Sequence, residues 1–238
     1  MDRSTWIVIP VRSLTDGKRR LAPVLEPDAR ARLVRRLFER TLRAALEAGP
    51  RALVVSPDPD ALSLARNAGA AALEEPRPVG LNHALELAAR EAAKRGAEAL
   101  LVVSADLPDL EAEDLRAMLP PPDPESISPA PDRAWNPAGA QIAERAESAM
   151  PRKRAVVRIA PDEAGTGTNA LYVRPPSLLA FEYGESSCRR HHEQARRAGA
   201  RVETVDRPGL RFDLDTPIDL ERHERRPFGR PHGEREDR

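Results

Sequence analysis

The chain has 238 residues, enough for one large α/β domain or two small ones around a sizeable core. Its 38 basic and 38 acidic residues balance, and aromatics make up 3% of the chain, which argues against a general polyanion-binding surface and against a stacking platform for single-stranded nucleic acid. A single cysteine, Cys188, excludes an internal disulfide framework and any multi-cysteine metal site.

Residues 5–11, Thr-Trp-Ile-Val-Ile-Pro-Val, read as a strand covered on both faces, because the apolar run is short, continuous and β-branched. A basic, glycine-containing loop follows, with Arg12, Asp16, Gly17, Lys18, Arg19 and Arg20. In an α/β protein such a loop lies at the carboxyl edge of the sheet, where ligands bind. Lys18 and Arg20 either neutralise a polyphosphate there or stand as solvated loop charges.

Residues 28–48 predict a long helix, with Leu33, Leu37, Thr41, Ala44 and Ala48 at helical spacing and arginines opposite. Ala52–Ser56 is a second strand, Asp60–Ala68 a short helix stopped by Gly69, and Ala70–Glu74 a third strand before Pro76 and Pro78. Another helix opens at Gly80-Leu81-Asn82 and runs to Lys94. Asn82 either caps that helix or reads a base edge, since an amide both donates and accepts.

Glu98–Ser104 is the clearest strand in the chain, and Asp106 follows it directly. A carboxylate there faces the ligand crevice, and Mg²⁺ is a fitting partner for it. Capping the helix expected over Glu111–Leu119 is the weaker alternative, because Pro108 and three further residues intervene. Strand and helix alternate through the first 119 residues, the pattern of a doubly wound sheet with right-handed crossovers.

Residues 120–154 break the alternation with a proline-rich stretch in which Ala140–Met150 can form one helix. The pattern recovers in a strand at Ala155–Ile159. The segment Pro161-Asp162-Glu163-Ala164-Gly165-Thr166-Gly167-Thr168-Asn169-Ala170-Leu171 then enters an apolar run ending at Val173. It reads either as a plain turn or as a loop whose glycine amides approach an anion. It lacks the lysine of a nucleotide-binding P-loop and leads into a strand, not a helix.

Ser186 or Ser187 caps a helix from Cys188 to Arg197, whose N-terminus is a ready phosphate site. His191 and His192 on that helix point about 100° apart, so they do not both ligate one metal comfortably, and a surface or packing role suits at least one of them. Cys188 reads as packing. Arg201–Asp206 is a further strand. Asp213 and Asp215 lie two apart in an extended segment and can aim at one cation. Thr216, Pro217 and Asp219 fit the N-cap, N1 and N3 positions of a last helix. Residues 223–238 read as a disordered tail.

Acidic residues for a metal, basic residues for a triphosphate and a separate anion cradle point to phosphoryl or nucleotidyl transfer. That chemistry needs positioning and charge neutralisation more than a covalent nucleophile.

These motifs resemble the guanylyltransferases that make the activated phospho-lactyl or phosphoenolpyruvyl nucleotide in the biosynthesis of coenzyme F420. The matching pieces are Trp6–Arg12, Gly17–Leu21, Leu81-Asn82, Ala105–Pro108, Ala160–Asp162 with Gly165–Leu171, Tyr183-Gly184 with Ser187 and His191, and Asp213–Pro217. They run in order across nearly the whole chain to residue 222. The resemblance implies a three-layer α/β/α, Rossmann-like nucleotide-diphospho-sugar transferase fold, similar to the molybdopterin nucleotidyltransferases. It implies a mostly parallel central sheet and a single domain over residues 1–222.

It also implies a reaction, in which the phosphate of phosphoenolpyruvate or 2-phospho-L-lactate attacks the α-phosphorus of GTP and pyrophosphate leaves. By position, Asp106, Asp213 and Asp215 would hold Mg²⁺, and Lys18, Asp106 and Asp215 would form the catalytic set. Pro10, Val11, Arg12, Lys18, Arg20 and Asn82 would hold GTP. Thr168, Asn169, Gly184 and Ser187 would hold the acceptor, which assigns the Gly165–Leu171 segment to the acceptor side. The product would pass to a downstream transferase of F420 biosynthesis.

Three departures from the family pattern stand out. Arg12 replaces the usual lysine, Cys188 stands where an aromatic is common, and the proline-rich stretch before Val156 is longer than the family connection. The alternatives are a related nucleotidyltransferase with another base or acceptor, such as 3-phosphoglycerate, or a catalytically silent nucleotide-binding module. With no leader and no apolar run of membrane-spanning length in the sequence, a cytoplasmic protein is expected, without membrane or nucleic-acid partners. An exposed helix or the proline-rich stretch can support a homodimer.

Overall fold

The computed structural model describes residues 4–49, 51–121 and 155–225. The expected helix over Ala140–Met150, and all but the first three residues of the expected tail, lie outside the described residues.

Among the described residues seven strands form one sheet in the order β3-β2-β1-β4-β6-β5-β7. They are β1 (Thr5–Pro10), β2 (Arg51–Ser56), β3 (Ala71–Glu74), β4 (Ala99–Val103), β5 (Val156–Pro161), β6 (Thr168–Arg174) and β7 (Arg201–Thr204). Strand β1 pairs in parallel with β2 and β4, β2 with β3, and β5 with β7. Strand β6 runs against both its neighbours, β4 and β5, so the sheet is mostly parallel as expected.

Helices cover both faces, and β1 shows why the strands read as continuous apolar runs. Ile7 and Ile9 pack on the face covered by α1 (Pro27–Ala48), α2 (Pro59–Asn67), α4 (Ala112–Met118) and α6 (Pro208–Arg211). Trp6 and Val8 pack on the opposite face, against α3 (Leu81–Lys94). Helix α5 (Ser187–Arg197) covers β5 and β6 on that same face through Cys188 and Ala195. A strand buried on two sides has no polar face to alternate with. Cys188 is a buried free thiol, as the packing role expected for it requires.

The last helix, α7 (Pro217–Glu224), begins with the anticipated capping box, in which Thr216 and Asp219 bond each other's backbone N–H. It extends through residues 223 and 224, which the sequence reading assigned to the tail. Helix α6 was not anticipated; four residues are too few to show a helical period.

Candidate active site

The carboxyl ends of β1 and β4 place the site. After β1 the chain turns through a loop fixed by Val11 N–H donating to Val55 O (3.0 Å) and Leu14 N–H donating to Asp58 Oδ2 (2.8 Å). Gly17 is required here, because a Cβ would lie 2.9 Å from Val34 Cγ2. Lys18 then adopts a left-handed backbone, φ 54. For a residue with a side chain this conformation costs about 1 kcal/mol or more.

That turn directs the Lys18 ammonium to Asp106 Oδ2 (2.7 Å) and Asp215 Oδ1 (3.4 Å). The Lys18 side chain is only 8% exposed. Burial alone would lower its pKa, but the two carboxylates outweigh burial and raise it above the ordinary lysine value. Lys18 is therefore a permanent cation. Arg20 adds a second cation through a 2.8 Å bond to Asp215 Oδ2.

Asp106 follows β4 as expected and is not a helix cap; Glu111 caps α4 in a box with Asp114. Leu214 N–H donates to the Asp106 carbonyl (3.1 Å), which ties the Asp213–Asp215 segment to the end of β4. In that segment Phe212 and Leu214 are buried on one side, so Asp213 and Asp215 share the other. Burial, and then the charge of Asp106, raise the Asp213 pKa above the usual carboxylate range.

The expected carboxylate triad is thus brought together but is not arranged as a metal cage. Among the described residues no group of three or more His, Cys, Asp or Glu side chains is set to hold a metal ion. Lys18 is the physical reason, since its ammonium stands between Asp106 and Asp215. The donor set still fits a divalent cation. Asp106 Oδ1 is buried without a hydrogen-bond partner, a carboxylate oxygen that a cation would satisfy.

The Gly/Thr segment is a closed hairpin turn between β5 and β6. Asp162 accepts from Thr166 N–H (2.8 Å, Oδ1) and Gly165 N–H (3.0 Å, carbonyl), so those amides do not cradle a ligand. A Cβ at Gly167 would lie 2.6 Å from Asp162 Oδ2. These glycines therefore serve the turn's own geometry, Gly165 with a left-handed φ of 72. Asn169 is buried at the start of β6. Its amide donates to Leu210 O (2.9 Å) and Arg211 O (3.2 Å), strapping β6 to α6.

The acceptor candidates that do converge are Thr168, Ser187 and Gly184. Ser187 is the first residue of α5, and Ser186 before it is left-handed (φ 56) without a side-chain cap. Ser187 N–H donates to Gly184 O and Cys188 N–H to Thr166 O, so this helix start presents fewer amides to an anion than expected. The side chains supply a donor instead. Ser187 Oγ–H donates to Thr168 Oγ1 (3.2 Å), which lies 3.1 Å from His191 Nδ1. Glu182 N–H donates to His191 Nε2 (3.3 Å), so Nε2 is the acceptor and Nδ1 carries the proton. Thr168 Oγ1 therefore accepts twice and keeps its own proton to donate.

His191 is completely buried. Burial, then the charges of Arg190 and His192, lower its pKa to about 4. The sequence reading gave surface or packing roles to at least one of His191 and His192 and placed His191 among the residues that match the family pattern. A fully buried ring bonded at both nitrogens, 23 residues from Thr168, leaves no local pattern to find.

Asn82 is half-buried and is not the helix cap. Gly80 takes the cap position of α3, and the Asn82 amide is bonded to the backbone of Tyr183. Asn82 Oδ1 accepts from Tyr183 N–H (2.8 Å) and Nδ2 donates to Tyr183 O (3.3 Å). Pro10, Val11 and Arg12 line a cavity of about 250 Å³ with Val55, Glu75, Pro78, Gly80, Leu81 and Ala84. Val11 N–H is committed to Val55 O, and Pro10 has no N–H, so neither of these two residues offers the cavity a backbone donor.

The family model described as "Guanylyl transferase CofC like" matches residues 5–134 and 146–223. The unmatched residues 135–145 lie inside the proline-rich stretch. A phosphoenolpyruvate guanylyltransferase of Rubrobacter xylanophilus is 40% identical over 222 residues, covering 93% of this chain and 94% of the relative. One from Sphaerobacter thermophilus is 37% identical over 220 residues, covering 92% and 91%. A solved nucleotidyl transferase from Methanothermobacter thermautotroptrophicus superposes with a TM-score of 0.60 at 18% identity, covering 92% of this chain and 95% of that one. A structure from Desulfovibrio desulfuricans G20, described as a nucleotide-diphospho-sugar transferase, gives 0.66 at 17% identity, covering 93% and 87%. The chain belongs to the CofC-like guanylyl transferase family, a family of nucleotidyltransferases, and has the nucleotide-diphospho-sugar transferase fold.

Proposed function

We propose that this chain transfers a guanylyl group from GTP to phosphoenolpyruvate in coenzyme F420 biosynthesis, with residues 1–222 acting as one catalytic unit. The observation that carries this reading is the Lys18 ammonium held between Asp106 and Asp215, at the strand ends where the fold collects ligands. The relatives named for this activity, aligned over more than nine-tenths of the chain, support it.

In the reaction a phosphate oxygen of phosphoenolpyruvate forms a bond to the α-phosphorus of GTP. The bond from that phosphorus to the β-bridging oxygen breaks, and pyrophosphate leaves with the electron pair. No protein nucleophile is needed, and positioning and charge neutralisation carry the step. Lys18 and Arg20 supply fixed positive charge to the triphosphate. Asp106, Asp213 and Asp215 would hold Mg²⁺, which neutralises phosphate charge when bound. Thr168 offers a proton to the acceptor's phosphate or carboxylate, with Ser187 and His191 fixing its orientation. Asn169 shapes this wall from β6, and the Asn82 latch couples it to the nucleotide side.

Pyrophosphate release is measured with each of the four nucleoside triphosphates against phosphoenolpyruvate, 2-phospho-L-lactate and 3-phosphoglycerate. Turnover confined to GTP with phosphoenolpyruvate is expected. Turnover with CTP and not GTP would overturn the guanylyl assignment, and turnover with another acceptor alone would overturn the acceptor. The product then serves a downstream transferase that displaces GMP.

A further inference from the structure

The cavity beside Pro10–Arg12 contains a carboxylate that nothing above uses. Glu75 follows β3 immediately, and its N–H donates to Ser56 O (2.9 Å), which continues the β2–β3 ladder. This puts it at the carboxyl edge of the sheet, in the row of strand ends that also carries Asp106. Its side chain is only 6% exposed and lines the cavity. Glu75 Oε1 is buried and has no hydrogen-bond partner. His83 Nδ1 approaches it at 3.5 Å, within ion-pair range, but the two make no hydrogen bond, and His83 Nδ1 is itself without a partner. A buried carboxylate oxygen left in this condition is costly unless a donor reaches it.

Apart from Glu75 and Arg12, the cavity is lined by apolar residues and glycine. Val11, Val55 and Ala84 supply buried apolar wall, and Leu81 remains 45% exposed at the first position of α3. A planar base resting here covers Leu81 and presents its edge to Glu75.

We infer that Glu75 is the residue that selects guanine, by accepting hydrogen bonds from the base's N1–H and its 2-amino group. This inference rests on the guanylyl-transfer reading and adds the residue that reads the base. Guanine carries two donors side by side on one edge, and a carboxylate carries two acceptors at matching separation. Adenine and cytosine present an amine beside a bare ring nitrogen, which repels the second oxygen. Uracil's single N–H lies between two carbonyls. Asn82, the other group considered for this role, has its amide committed to Tyr183.

The test compares GTP, inosine triphosphate and xanthosine triphosphate in the pyrophosphate-release assay at saturating phosphoenolpyruvate. Inosine lacks the 2-amino group, so the unmodified enzyme should use it with a kcat/KM about ten- to a hundredfold below that for GTP. Glu75→Gln should lose at least about tenfold in kcat/KM for GTP, mostly through KM, and shift its preference toward xanthosine triphosphate, whose 2-carbonyl accepts from the new amide. The KM for phosphoenolpyruvate should stay unchanged. His83→Gln should leave base preference as it is; if it reproduces the Glu75→Gln effect, Glu75 is a structural partner of His83 and the inference is wrong. Equal use of GTP and inosine triphosphate by the unmodified enzyme also overturns it, and needs no variant to fold. Failure of the unmodified enzyme to turn over GTP at all would instead defeat the guanylyl-transfer reading on which the inference rests.

Discussion

The Lys18 ammonium stands 2.7 Å from Asp106 Oδ2, joining two strand-end loops 88 residues apart. The left-handed Lys18 backbone aims the ammonium at this pair, and Asp106 and Asp215 together raise its pKa against the effect of burial. The pair also holds the carboxylates in place before nucleotide arrives. Lys18→Ala should lower kcat/KM for GTP by at least about a hundredfold, the scale expected when a positioned charge is removed from a transition state. Lys18→Arg should recover little, since a planar guanidinium does not fit between two carboxylates arranged for an ammonium. Steady-state kinetics of the two variants checks this; near-normal turnover by Lys18→Ala would remove Lys18 from the catalytic set.

Asp215 bridges Lys18 and Arg20, so its charge organises the whole basic loop. Asp215→Asn should abolish turnover while melting close to the unmodified protein, because the residue is half-exposed and adds little to the core. EDTA should stop turnover, and Mg²⁺ should restore it. Mg²⁺ should also raise the melting temperature of the unmodified protein and not of Asp106→Asn. A Mg²⁺-dependent stabilisation that survives Asp106→Asn would contradict its metal role.

Stability should depend on pH through His191. Its folded pKa is lowered to about 4, from an unfolded value near 6.5. Between those values the unfolded chain binds the proton and the folded one does not. The contribution is therefore complete above pH 6.5 and is lost as pH falls toward 4, a loss on the order of 3 kcal/mol. His191→Gln should flatten that part of the stability curve, measured by urea unfolding at a series of pH values. It should also raise the acceptor KM, because Thr168 loses the donor that orients it. Identical pH profiles for the two proteins would dismiss this assignment.

Asn82 ties α3 to the acceptor loop through both backbone groups of Tyr183. Asn82→Ala removes both bonds and should raise the phosphoenolpyruvate KM about tenfold or more. The GTP KM should move less, because Asn82 itself does not line the nucleotide cavity. Initial rates with each substrate varied in turn distinguish the two; a larger effect on GTP would return Asn82 to the nucleotide side.

The strands, most helices and the position of Asp106 are legible in the sequence because burial on two faces leaves unbroken apolar runs. The Asp213–Asp215 alternation and the Thr216–Asp219 box are equally local. The direction of β6 is not legible, since a buried run reads the same whichever way it pairs. Side-chain commitments across the fold are hidden for a related reason. Asn169 spends its amide on Leu210 and Arg211, more than 40 residues away, and Asn82 spends its own on Tyr183, 101 residues away. Residue type announces a donor, and only packing decides what receives it. Glu75 left a local clue, an acid placed directly after the third strand, but one acid among 38 acidic residues carries little weight until its burial is known.

The most direct measurement is the identity of the product formed from GTP and phosphoenolpyruvate, read by mass spectrometry and ³¹P NMR. The account predicts one pyrophosphate released per turnover and a product in which GMP and phosphoenolpyruvate are joined by a phosphoanhydride. GDP with inorganic phosphate, or a mixed anhydride of GMP with the acceptor's carboxylate, would contradict it.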